Sequence, residues 1–203
     1  MKSYNTLKCK RVYTFLALIL LSVSLNAKKF VFNDGVVVDK TETKVEEMAN
    51  ELFEKTGIQA YLLAKKSLDG KGIKEYEKEF VKQLKAPFAI LTIGLKEQKV
   101  DIYNSPDLNK SFDKETILSP YPWSGSVIPL LTGKKKDVSI SAAMLNGYSD
   151  MVEQLASSKN IKLKSGIGST NRDMIFFVRI SIYLFLLFLI VRYFIMKMRS
   201  KKE

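Results

Sequence analysis

The run at residues 174–196, MIFFVRISIYLFLLFLIVRYFIM, constrains this chain more than any other feature. Twenty-three residues of helix reach roughly 35 Å at ~1.5 Å each, enough to cross a hydrocarbon core of about 30 Å. Arg179 and Arg192 interrupt it thirteen positions apart, which leaves each near one interface, where a long guanidinium stem can snorkel out. The competing reading is a buried core helix of a soluble protein. Lys197, Arg199, Lys201 and Lys202 follow the run at once, and such a basic flank marks a cytoplasmic side. The sequence therefore predicts one transmembrane helix, 174–196, and a basic cytoplasmic tail, 197–203.

Residues 1–11 carry Lys2, Lys8, Lys10 and Arg11 and no acid; VYTFLALILLSVSL (12–25) is apolar, and Asn26-Ala27 follows. A basic start, a short apolar run and a small residue at a cleavage point form a secretory signal, expected over 1–27 with the cut after Ala27. Cys9, the chain's only cysteine, precedes the apolar run and would leave with the signal. The export route and the basic tail together predict a single-pass protein of a bacterial inner membrane, with its domain in the periplasm.

A net charge of +12 invites a nucleic-acid reading until its placement is considered. Residues 1–27 hold four bases and no acid, and residues 174–203 hold six bases and one acid. The exported part between them holds 23 bases and 20 acids. The excess is topological, so no nucleic-acid partner is expected.

Residues 28–159 suffice for one core. Two apolar runs flank Asn33-Asp34-Gly35, a turn signal. Val45, Met48, Ala49, Leu52 and Phe53 form a helical stripe over 41–55, with Thr43 and Glu46 spaced as a capping box and Gly57 as its stop. IQAYLLA (58–64) reads as a buried strand and Asp69-Gly70 as a turn. Residues 72–85 form a second helix with Ile73, Tyr76, Phe80, Val81 and Leu84 inward. FAILTIG (88–94) is a strand buried on both faces, and 99–104 alternates as an edge strand would. Residues 113–118 could form a short helix. A longer one over 137–157 turns Ile140, Met144, Tyr148, Met151, Val152 and Leu155 inward, with Gly147 as a weak point. The expected fold class is α/β: a mixed β-sheet sandwiched between helices, plus the C-terminal transmembrane helix. Residues 160–173, polar and containing Gly166 and Gly168, are expected to be a tether that lets the domain move.

With no histidine, and no cysteine after Cys9, thiol nucleophiles, imidazole bases and zinc sites of nitrogen and sulfur ligands are excluded from the exported part. Carboxylates remain. Asp34, Asp101, Asp107 and Asp113, near strand ends or in loops, are the candidate metal ligands for calcium or magnesium, against the plainer reading of solvated loop acids. SPYPWSGSVIP (119–129) holds three of the chain's five prolines and its only tryptophan. Tyr121 and Trp123 there are candidate partner-binding residues, against the alternative that both rings pack over the sheet edge as a lid.

The order of elements resembles the TPM domain family, exported or lumenal α/β domains often held by one C-terminal membrane helix. The similarity runs through most of 30–157. It rests on Asp34 and the helix after it, on TGIQAYLLAKKSLDGKGIKEYEKEF (56–80), on FAILTIGLKEQKVDIY (88–103), and on the last helix after a Gly-Lys turn. The resemblance implies a sheet between helices and association with membrane complexes. Some members are linked to photosystem repair and one to receptor modulation, and calcium binding or phosphatase activity is attributed to some. Where members carry Asn-Gly before the apolar strand and Gly-x-Gly-x-Glu after the hairpin, this chain has Lys85-Ala86-Pro87 and Asn104-Ser105-Pro106-Asp107. No catalytic residue is therefore carried over.

Two functions follow. The first is a membrane-anchored accessory protein, not an enzyme and without cofactor, that binds an integral-membrane complex and assists its assembly, stability or turnover. Its partners are that complex and the lipid bilayer; Tyr121, Trp123, Arg179 and Arg192 are its contact candidates. The alternative is a carboxylate- or metal-dependent phosphatase or other hydrolase, which needs at least three oxygens converging on one cavity.

Overall fold

The computed structural model describes residues 28–132, 136–168, 178 and 180–192. The expected signal 1–27, Cys9, Arg179 and the tail 197–203 lie outside the described residues.

The elements run β1 (Val31–Asn33), α1 (Asp39–Thr56), β2 (Gln59–Lys65), α2 (Ile73–Phe80), β3 (Phe88–Gly94), β4 (Lys99–Asn104), α3 (Lys114–Ile117), α4 (Ile128–Leu131) and α5 (Lys136–Ser157). One sheet has the order β1-β2-β3-β4, with β1, β2 and β3 parallel and β4 antiparallel to β3. This is the expected mixed α/β sheet. The central strands β2 and β3 are buried almost end to end, as their unbroken apolar sequences require when both faces are covered.

Registers assign the two faces. Tyr61, Ile90 and Tyr103 share one level of the sheet, and Leu63, Thr92 and Asp101 the next level of the same face. On that face Phe80 of α2 meets Tyr61 edge-on, with ring centroids 5.8 Å apart. Leu62, Leu91 and Ile102 point the other way, where α5 lies: a Cβ on Gly147 would stand 3.6 Å from Leu91 Cδ2. Met144, Tyr148, Met151, Val152 and Leu155 of α5 are all buried, and Ile140 is half-buried. Fully burying each large apolar side chain is worth about 1.5–3 kcal/mol, so this periodic face is what holds α5 on the sheet. Tyr148 also donates its hydroxyl to the Ala60 carbonyl at 2.8 Å, which pins α5 to β2.

Two expectations about the helices change. The capping box does not form: α1 begins at Asp39, Val38 caps it without a side-chain bond, and Thr43 bonds back to the Asp39 carbonyl. Glu46 instead reaches the edge strand, accepting from the amides of Phe30 at 3.0 Å and Val31 at 2.8 Å. Gly57 does end the helix, at φ 73°. The second helix is shorter than expected and closes in a single 3-10 turn, Val81–Gln83.

Gly147 is a point of close approach, not a weak point. An added Cβ would meet Val127 Cγ2 at 2.2 Å, so the chain before α4 packs directly on the α5 backbone.

Of the expected tether 160–173, the described part, 160–168, is bound to the domain, and 169–173 lie outside the described residues. Glu51 of α1 accepts from the amides of Lys164 at 2.8 Å and Ser165 at 2.7 Å. Ile167 and Gly168 donate to Ser149 Oγ and Glu153 Oε1 of α5 at 3.2 and 2.8 Å. Leu163 and Ser165 are buried. Residues 161–168 therefore finish the domain.

Residues 178 and 180–192 are helical and exposed throughout. Among the described residues, no helix is long and apolar enough to cross a membrane.

Candidate functional site

The loop between α3 and α4 carries the most exposed aromatic side chains of the domain. It starts from a cap: Asp113 Oδ1 accepts from the Thr116 amide at 2.9 Å and Oδ2 from the Thr116 hydroxyl at 2.5 Å. Past Ile117, which is buried, the chain folds on itself. The Tyr121 carbonyl accepts from the Ser124 and Gly125 amides at 3.1 and 2.8 Å, and the Ser119 and Ser124 hydroxyls lie 2.7 Å apart. Ser126 returns to the scaffold through its amide, on the Ile117 carbonyl at 3.0 Å, and its hydroxyl, on Asp150 of α5 at 2.5 Å. Gly125 is required by space: a Cβ there would lie 1.8 Å from the Ser119 carbonyl oxygen.

On this framework Tyr121 and Trp123 stack, with centroids 5.0 Å apart and planes 16° from parallel. They remain 56% and 59% exposed. The rings stack on each other and stay more than half exposed, unlike a lid packed down on the sheet edge. A rigid loop presenting two amphipathic rings is a contact surface that loses little side-chain freedom on binding.

The four candidate acids stand in different settings. Asp34, in the turn after β1, pairs with Lys65 at 2.8 Å. Asp101 on β4 pairs with Lys114 at 2.8 Å and accepts from the Ile102 amide at 2.8 Å. Asp107 is exposed in the turn Pro106–Leu108, and Asp113 caps α3. Among the described residues no three His, Cys, Asp or Glu side chains gather as a group that could hold a metal ion.

One acid was not singled out by sequence. Glu77 lies on the inward face of α2, fully buried against β3 and β4, and neither of its oxygens has a hydrogen-bond partner. Thr92 Oγ1 on β3 is likewise buried without a partner. Burial pushes the Glu77 carboxyl up to about 7. The neighbouring Asp101 charge adds to the rise, while the Thr92 hydroxyl, Lys114 and Lys74 oppose it. Though close enough to act on each other, Glu77 and Thr92 make no bond of normal geometry.

Arg192 is exposed at the end of the described C-terminal helix, and Arg179 lies outside the described residues. No family model matches the chain, and no curated protein matches it.

Proposed function

We propose that the chain is a membrane-anchored accessory protein of a bacterial inner membrane. Its periplasmic domain, read as TPM-like from the strand–turn–helix tract at 56–80, binds an integral-membrane complex and assists its assembly, stability or turnover. The observation that carries this reading is the helix at 180–192. Ile180 and Ile182 through Val191 expose apolar side chains at every position, by 39–66% each. A helix apolar all round has no face for water, so it belongs inside lipid or among other helices. The apolar run continues on both sides in sequence, giving the 174–196 span its length. Arg179 and Arg192 either snorkel to the two interfaces or face acids and carbonyls of a neighbouring membrane helix. Tyr121 and Trp123 supply a preformed contact at the domain.

Affinity purification of the full chain from gently solubilised membranes tests the proposal. The expected result is recovery of membrane proteins in fixed stoichiometry. Recovery of a lone monomer in several detergents overturns it. Replacing Arg179 and Arg192 with leucine is expected to leave insertion intact, and it loosens the association only if the two face protein.

A further inference from the structure

Outside the C-terminal helix, the large apolar side chains exposed among the described residues are Val38, Tyr121, Trp123 and Ile167. The segments that carry the last three are both fixed to α5. The aromatic loop is fixed to Asp150 through Ser126, and the end of the domain is fixed to Ser149 and Glu153 through Ile167 and Gly168. Positions 149, 150 and 153 fall within about one turn, ~6 Å of helix axis, on adjoining faces. The aromatic loop and the point where the chain leaves the domain are thus held side by side.

Little chain remains beyond that point. Met174 begins the apolar run six residues after Gly168, so extended chain puts at most about 20 Å between them. The loop also differs in composition from the rest of the surface. From Thr116 to Gly133 there is no charged residue, in a chain that is 27% charged.

We propose that Tyr121 and Trp123 form a second membrane contact, seated in the interfacial layer of the bilayer that residues 174–196 enter. The inference rests on the membrane-anchored reading and narrows one surface of it from protein to lipid. Amphipathic rings favour the headgroup level, where the apolar body meets acyl chain and the polar tip meets water. The loop carries no charge of its own, and Asp150 at its base is engaged by the Ser126 hydroxyl, so the rings bring no ion of the loop itself to desolvate. The anchor holds the loop beside the surface at high effective concentration, so even a weak contact stays occupied. The domain then lies with the flank of α5 toward the membrane, in one orientation.

Trp123 is the only tryptophan, so its emission reports this loop alone. The test reconstitutes the full chain into phosphatidylcholine–phosphatidylglycerol vesicles containing lipids brominated either near the headgroup or near the chain end. The expected result is Trp123 emission quenched at least twofold more strongly by the shallow bromines than by the deep ones, with acrylamide access reduced to match. Both insertion orientations place the loop against a leaflet, so mixed orientation does not blur the result. Protein that floats with the vesicles while Trp123 ignores bromine and stays open to acrylamide overturns the lipid contact and leaves the anchor standing. It also returns the loop to a protein partner. Protein that does not float overturns both.

Discussion

Glu51 and Ser165, 114 positions apart, are joined by the Ser165 amide at 2.7 Å and by the Ser165 hydroxyl, both donating to one carboxylate oxygen. The other oxygen takes the Lys164 amide and the Lys55 ammonium. One acid on the first helix thereby fixes the last segment of the domain.

Glu51→Ala is expected to release Lys164 and Ser165 from α1, leaving Ile167 and Gly168 on Ser149 and Glu153. Hydrogen bonds to a charged acceptor contribute about 1.5–3 kcal/mol each way of removal, so a loss of that order is expected in denaturant unfolding. Amide exchange at Lys164 and Ser165 should accelerate more than at Leu62 or Leu91. Uniform acceleration across the sheet would show that the clamp is not local.

The same carboxylate sets an acid limit. Partial burial pushes Glu51 up, but the bonds from Lys164, Lys55 and Ser165 outweigh it and hold the group well below its ordinary value of 4.5. The folded state therefore binds fewer protons than the unfolded one over that interval. Its contribution is present above pH ~4.5 and is lost as pH falls below it. Unfolding free energy measured from pH 6 to pH 2.5 should decline less steeply in Glu51→Gln than in the parent.

Glu77 acts in the opposite sense. With a folded value of about 7 against 4.5 unfolded, the folded state holds an extra proton between them. Stability is full below about pH 4.5 and falls as pH rises to 7, by something on the order of 2–3 kcal/mol. Glu77→Gln should match the parent near pH 4.5, exceed it at pH 8, and show little slope between. Parallel profiles for the two proteins would refute the assignment.

Gly147→Ala places a methyl 2.2 Å from Val127 Cγ2, so either α5 or the chain before α4 must move. A loss of about 1–3 kcal/mol is expected, as for other overpacked sites. The companion change Val127→Ala opens space there, so the double variant should recover part of the loss. Strict additivity of the two would argue against direct contact.

Much of the sheet was legible because β2 and β3 announce themselves as unbroken apolar runs, and β4 as an alternation after a four-residue turn. The α5 stripe was legible for the same reason. Glu77 was not. It stands four residues after Ile73 on the inward face, yet the usual rule sends a glutamate to water, and the sequence carries no sign of the unpartnered Thr92 beneath it. The docked tail was also hidden. Residues 161–168 look like linker because their composition is polar, while what binds them is Glu51 and Glu153, acids with no pattern relative to them. Glu46 was placed in a local cap because Thr43 sits three residues before it, and nothing nearby points to the amides of Phe30 and Val31. At the candidate contact, proline and tryptophan marked the loop, but not that its two rings would stack on each other and stay open.

Tyr148 gives its hydroxyl to Ala60 across 88 positions, and α5 is the last long element of the domain to be synthesised. A chain appearing from its N-terminus thus presents β1, β2, β3 and β4 before the cover for Leu62 and Leu91 exists. That apolar face stays wet, or in the keeping of a chaperone, until residues near 150 arrive. On the membrane-anchored reading proposed above, the segment that would stop movement through a membrane follows only about twenty residues later. On that reading completion of the core and arrest of the chain are close to simultaneous, and a deletion within α5 should be met by proteolysis before it is met by loss of any binding.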